Sequence, residues 1–170
     1  LLRRHARAAE LHTVLPSWAG IFRWSVVRNP WDVVASSYAL FQRDSQYPES
    51  AQQPTAYWLS VLQNSGKSLE EYIERCFGYL RAGGGGHWRH WCSMPDGRQL
   101  GVEPVVYDTL QERWPELCER MRIPVAPLPA DNRGASVSVQ WTEAADAQVQ
   151  VYFADDIARF GFQRPASVGW

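Results

Sequence analysis

The feature that most constrains the fold is a short apolar run that ends at an arginine, an asparagine and a proline. Residues 22–27 (FRWSVV) are mostly aromatic or β-branched, which is typical of a strand. The turn Arg28-Asn29-Pro30 stops the run, and a proline fits the first turn of a helix because its missing N–H has no partner there. Apolar residues then recur at helical spacing over residues 31–41. The sequence therefore predicts a strand, a tight turn and a helix, the repeating unit of an α/β sheet.

Other segments carry weaker signals of the same kind. A second buried strand is predicted over residues 102–107, interrupted by Pro104. Ser68 and Glu71 have the spacing of a capping box, and Gly161 is a typical helix stop. The predicted helices cover residues 2–11, 31–41, 56–62, 68–80, 109–121, with Pro115 in a first turn, and 142–160, with Thr142 as the cap.

Length and composition limit the class of protein. The 170 residues are enough for a single domain with its own core, and we expect one domain over residues 1–170. The net charge of −1 and the pI of about 6.5 give no basic excess that would indicate a nucleic-acid partner. No apolar run approaches the roughly 18 residues of a membrane-spanning helix, so no membrane segment is expected in this chain.

The arginine at the end of the first predicted strand is the strongest candidate for chemistry. Ligands of open α/β sheets bind at the carboxyl ends of the strands, where Arg28 is expected, and a guanidinium suits a phosphate. Ser36 follows eight positions later, two turns into the predicted helix, where its hydroxyl can donate a second hydrogen bond. On spacing alone, an ion pair between Arg28 and Asp32 beside a surface serine explains the pattern equally well.

The stretch FRWSVVRNPWDVVASSY resembles the 3′-phosphate-binding segment of sulfotransferases that use 3′-phosphoadenosine 5′-phosphosulfate (PAPS), and it is closest to their carbohydrate-type branch. The resemblance implies that Arg28 and Ser36 hold the 3′-phosphate of PAPS. It also places Arg133, in the loop over residues 132–136, near the nucleotide. Four further segments resemble family markers and occur in family order: residues 68–73, 105–110, 128–132 and 152–162.

The resemblance implies a P-loop-NTPase-like α/β fold with a central parallel sheet flanked by helices. It further implies transfer of a sulfuryl group from PAPS to a hydroxyl or amine acceptor, with carbohydrates among the candidates and with no metal. The chain departs from the family because no lysine-bearing phosphosulfate loop precedes Arg28. Its single lysine, Lys67, lacks the upstream glycine that a phosphate loop requires, since Val61 stands there. We therefore expect a domain that lacks its N-terminal strand, loop and helix, with weak or no transferase activity in isolation.

Two alternatives remain open. One is a degenerate member of the same fold that binds a nucleotide or a partner without catalysis. The other is a different nucleotide-dependent α/β enzyme such as a kinase, which the lack of a complete phosphate loop disfavours.

The segment from His87 to Cys92 (HWRHWC) is better explained as packed or surface structure than as a metal site. The sequence assigns no catalytic base, and the compartment follows only from the source: cytoplasmic if bacterial, Golgi lumen if animal.

Overall fold

The computed structural model describes residues 7–46, 66–82, 86–128 and 139–165. The chain divides into two compact units, Leu1–Asn29 with Gly86–Asn132, and Pro30–Gly85 with Arg133–Trp170. The helices and strands of the described residues are, in chain order, α1 (Ala8–Val14), β1 (Trp24–Val27), α2 (Pro30–Gln46), α3 (Leu69–Phe77), α4 (Tyr79–Ala82), α5 (His87–Cys92), β2 (Glu103–Val106), α6 (Leu110–Met121), α7 (Glu143–Tyr152) and α8 (Ala154–Phe160).

The first unit contains a small parallel sheet. Strands β1 and β2 pair in register from Trp24 opposite Glu103 to Val27 opposite Val106. Both predicted strands are confirmed, and the described residues are mixed α/β, mostly helical with this two-stranded sheet. Val105, in the middle of β2, is fully buried.

Helix α6 packs in the same unit through one aromatic pair and two buried side chains. The indole Nε1–H of Trp24 points at the sulfur of Met121 at 3.2 Å, and its ring lies 6.2 Å from that of Trp114. Leu117 and Cys118 are fully buried. Pro115 was expected in a first turn but lies inside α6, since the helix begins at Leu110. Pro115 has no N–H to donate to the carbonyl one turn earlier in the helix. Because the proline is exposed, water can donate a hydrogen bond to that carbonyl instead.

The second unit is helical in its described residues and is built around an aromatic cluster. The ring of Tyr72 lies 5.2 Å from Tyr38, 5.6 Å from Phe41 and 6.2 Å from Phe77, measured between ring centroids. Tyr72 itself is 1% exposed. Edge-on aromatic packing of this kind adds to the burial of apolar area, so this cluster is the centre of the second core.

Two predicted helix caps are confirmed in the second unit. Ser68 Oγ accepts the backbone N–H of Glu71, and the Glu71 carboxylate accepts the N–H of Ser68, which completes the capping box. Thr142 Oγ1 accepts the N–H of Ala145 at 3.1 Å. The same hydroxyl donates to the carboxylate of Glu70, and this hydrogen bond is the main cause that lowers the pKa of Glu70. The first turns of α3 and α7 are therefore tied together.

The helices predicted as continuous over 68–80 and 142–160 are each divided in two. At Gly78 a side chain would collide with the carbonyl oxygen of Glu74, so only glycine permits this approach. At Phe153 the backbone leaves helical values, and the ring is buried 5.3 Å from that of Phe77. The predicted stop at Gly161 is confirmed, with φ +67°.

The ends of the first two helices also differ from the prediction. Helix α1 covers Ala8–Val14 where residues 2–11 were expected, and the Glu10 carboxylate accepts the N–H of Arg7 at its start. It ends before Pro16 because a proline disfavours helical backbone angles at the residue that precedes it. Helix α2 continues to Gln46, past the predicted end at residue 41, and residues 43–46 contain no glycine or proline that would stop it.

Candidate functional site

The structure places Arg28 directly after β1, at the carboxyl end of the parallel strands. Val27, the last residue of β1, is buried at 6% exposure, and Arg28 is half-buried. Pro30 then begins α2, as the sequence predicts. Ligands of parallel sheets bind at this edge because strands end and helices begin there. Arg28 therefore lies at the edge of the sheet where the sequence predicts it.

Tyr107 follows β2 at the same edge. Because Val27 and Val106 are register partners, Arg28 and Tyr107 leave the sheet side by side. The guanidinium carbon of Arg28 lies 5.0 Å from the centroid of the Tyr107 ring, within the range of a cation–π contact. The ring is 48% exposed. An arginine and an open aromatic face thus meet at the carboxyl ends of both strands.

The opposite end of the strands carries an ion-pair network. Glu103 at the start of β2 accepts from Arg113 at 2.7 Å and from Arg120 at 2.6 Å. The hydrogen bond from Arg113 is the main cause that lowers the pKa of Glu103. Both arginines also pair with Glu116, which lies on α6 like them. This network fastens α6 to β2, and its charges are balanced within it, which favours a structural role over a ligand site.

The other two sequence-predicted binding residues lie elsewhere in the chain. Ser36 is exposed on α2 and belongs to the second unit, whereas Arg28 belongs to the first. Arg133 lies outside the described residues. Within the first unit, Arg28 contacts Tyr107, as described above.

The first turn of α2 is held by an acidic side chain that the sequence does not single out. Trp31 is 3% exposed, and its Nε1–H donates to Asp146 Oδ1 at 2.7 Å. The other oxygen of Asp146 accepts from Gln150 at 2.7 Å, and Arg164 lies 3.6 Å from the carboxylate. This link joins residues 115 positions apart, so no local pattern predicts it. It fixes the start of the helix that carries Ser36.

The segment from His87 to Cys92, which could not be assigned from sequence, forms the short helix α5. Trp88 and Cys92 are buried, and the rings of His87 and His90 each contact Trp91 edge-on at 6.0 and 5.7 Å. Among the described residues, no group of three or more histidine, cysteine, aspartate or glutamate side chains is placed to hold a metal ion. Trp88 and Cys92 therefore pack into the interior of the first unit, whereas Arg89 is exposed.

The burial of His87 has a consequence for stability. Burial, reinforced by the nearby His90, lowers the pKa of His87 from 6.5 to about 4. The pKa of His90 is also lowered, mainly by burial and to a smaller extent by the positive charge of Arg7. In the unfolded chain these imidazoles take up protons at higher pH than in the folded state. Protonation therefore favours unfolding, and stability falls as the pH falls from about 6.5 towards 4.

We expect the free energy of unfolding to decrease by about 2 kcal/mol between pH 7.5 and pH 5. Urea unfolding at a series of pH values measures this decrease. Most of this window lies above the ordinary pKa values of carboxylates, so the histidines contribute most of the decrease. The variant His87→Phe keeps a ring beside Trp91 and should lose most of the pH dependence. If the free energy of unfolding decreased equally with pH in His87→Phe and in the unaltered protein, His87 would not be the source of the pH dependence.

The single lysine has a structural position in the second unit. The carbonyl oxygen of Lys67 accepts a hydrogen bond from the hydroxyl of Tyr38 at 2.8 Å, and Lys67 directly precedes the capping residue Ser68. Gly66 before it has φ +68°, the left-handed backbone of a turn. The cap and turn at this position are as the sequence predicts.

Three of the four further segments that resemble family markers lie fully within the described residues. Residues 68–73 begin α3, residues 105–110 lead from β2 into α6, and residues 152–162 span the end of α7, α8 and its glycine stop. Only Leu128 of residues 128–132 is described. Within the described ranges, no helix combines the length and the apolar character needed to cross a membrane.

Comparisons of the chain with protein-family models, with curated proteins and with solved structures give no match. The functional interpretation therefore depends on the residues and the geometry described above.

Proposed function

We propose that this chain is part of a PAPS-dependent sulfotransferase and that Arg28 binds the 3′-phosphate of the nucleotide. The observation that carries the proposal is the position of Arg28, at the carboxyl ends of two parallel strands and before the first turn of α2. An anion at this position meets a guanidinium fork, whose planar set of donors suits a phosphate. The sequence resemblance adds Ser36 and Arg133 as further ligands of the same nucleotide.

The proposed reaction is in-line transfer of a sulfuryl group from PAPS to a hydroxyl or amine acceptor, with a carbohydrate as one candidate. Such a transfer depends mainly on alignment of donor and acceptor and on stabilisation of the leaving phosphate. The role of Arg28 is to anchor the nucleotide end of the donor. The acceptor base and the groups that hold the phosphosulfate stay unassigned. The proposed fold is a P-loop-NTPase-like α/β fold that extends the parallel sheet of the first unit.

A second candidate is a nucleotide-binding domain without catalysis. Lys67 stands at a helix-capping turn, with its carbonyl bonded to Tyr38, so we assign it no role at the leaving group. Under this alternative, Arg28 still binds the nucleotide, whereas sulfuryl transfer does not occur.

Calorimetric titration of the full chain with adenosine 3′,5′-bisphosphate tests both candidates. We expect this ligand to bind at least about tenfold more tightly than adenosine 5′-monophosphate, since one charged phosphate contact is worth more than about 1.4 kcal/mol. ATP, which carries no 3′-phosphate, should compete poorly. No binding, or preference for ATP, would overturn the proposal in favour of a kinase-like enzyme. A sulfation assay with labelled PAPS then separates the transferase from the non-catalytic binder.

A further inference from the structure

Tyr107 is an exposed ring whose described contact is with the candidate ligand-binding arginine. Its exposure of 48% means that it contributes little to the core. The guanidinium carbon of Arg28 lies over its face, 5.0 Å from the centroid.

The backbone holds the Tyr107 ring in place beside the strand ends. Tyr107 begins a 3₁₀ turn that follows β2 without a gap, and the N–H of Leu110 closes this turn on the carbonyl of Tyr107. Thr109 Oγ1 donates to the carbonyl of Val106 at 3.0 Å, which fixes the turn to the last residue of the strand. The register of Val106 with Val27 then sets the ring next to Arg28.

Contact with an aromatic face restricts an arginine without using its hydrogen-bond donors. The attraction is between the positive charge and the π electrons of the ring, so the N–H groups keep their capacity for oxygen acceptors. An arginine side chain has several rotatable bonds, and ordering them on binding an anion weakens the affinity. A ring that orders the guanidinium beforehand removes part of that loss.

We propose that Tyr107 is a positioning residue, which holds the guanidinium of Arg28 at the carboxyl ends of β1 and β2 so that it meets an incoming phosphate. This inference rests on the proposed function, because it assigns the anion to Arg28. It differs from a direct ligand role for Tyr107, since it requires the ring and not the hydroxyl.

Titration with adenosine 3′,5′-bisphosphate distinguishes these roles. We expect Tyr107→Leu to weaken binding about tenfold, by loss of both the cation–π contact and the ordering of Arg28. Tyr107→Phe, which keeps the ring, should bind within about twofold of the unaltered protein. Tyr79→Leu removes a comparably exposed tyrosine, 43% exposed in the second unit, and should leave binding unchanged. Equal losses in the leucine and phenylalanine variants at position 107 would overturn the proposal.

A double-mutant cycle and a spectroscopic signal complete the test. In the Arg28→Ala background, Tyr107→Leu should have no further effect on binding, and additive losses would contradict positioning through Arg28. In NMR spectra, the Arg28 Nε–H resonance can be identified because it is absent from the Arg28→Lys variant. Its chemical shift should change in Tyr107→Leu, where the ring is lost, and stay close to that of the unaltered protein in Tyr107→Phe. An unaltered protein that binds no bisphosphate refutes the proposed function, whereas tight binding that is insensitive to Tyr107→Leu refutes positioning alone.

Discussion

Replacement of Tyr72 by alanine is expected to destabilise the second unit by about 3–5 kcal/mol, the range for truncation of a buried aromatic side chain. Tyr72 is 1% exposed and lies within 5.2–6.2 Å of three other rings. Its removal leaves a cavity among side chains that are held by their own helices and cannot all collapse into it. Because small domains are stable by only about 5–15 kcal/mol, a large part of the folding free energy would be lost.

Urea unfolding followed by far-ultraviolet circular dichroism measures this loss. Tyr72→Phe keeps the ring and removes only the hydroxyl, which interacts with the thiol of Cys76. We therefore expect this variant to lower the free energy of unfolding by about 1 kcal/mol. Tyr79→Ala is the matched exposed variant, with 43% of the side chain in solvent, and should stay within about 0.5 kcal/mol of the unaltered protein. A midpoint for Tyr72→Ala equal to that of Tyr79→Ala would show that the cluster is not a core.

The elements that the sequence predicts well are those with a local physical signal. Residues 22–30 predict β1 and the start of α2 because β-branched residues and a proline act on their own backbone. The caps at Ser68 and Thr142 are confirmed for the same reason, since a capping side chain bonds N–H groups only three residues away.

The elements that sequence reasoning misses depend on distant contacts. The break at Phe153 follows from its burial against Phe77, a residue on another helix. The stacking of Tyr107 with Arg28 depends on the parallel register of two strands nearly eighty residues apart, which no periodicity encodes. Arg28 could be singled out as a candidate binding residue from its position after a strand. Its aromatic partner could be found only once the register was known.

Replacement of Arg28 by alanine is expected to weaken binding of adenosine 3′,5′-bisphosphate by about 100-fold, or about 2.7 kcal/mol. The substitution removes the fork of donors at the carboxyl ends of β1 and β2, and the doubly charged 3′-phosphate loses a charge-assisted pair. Arg28→Lys keeps the positive charge but not the planar fork, so an intermediate loss is expected. Adenosine 5′-monophosphate, which has no 3′-phosphate, should bind the three proteins about equally.

Calorimetry at one fixed, low salt concentration measures these affinities, because screening would otherwise reduce every phosphate contact together. Arg98→Ala is the matched control in the same unit, since Arg98 is exposed and its backbone, not its guanidinium, bonds Asp96. Its binding should equal that of the unaltered protein, which shows that the loss at position 28 is not a general effect of one positive charge. Urea unfolding of Arg28→Ala verifies that the first unit is intact. If Arg28→Ala weakens the binding of the monophosphate and of the bisphosphate equally, the arginine does not recognise the 3′-phosphate. The role that we propose for Arg28 would then be wrong.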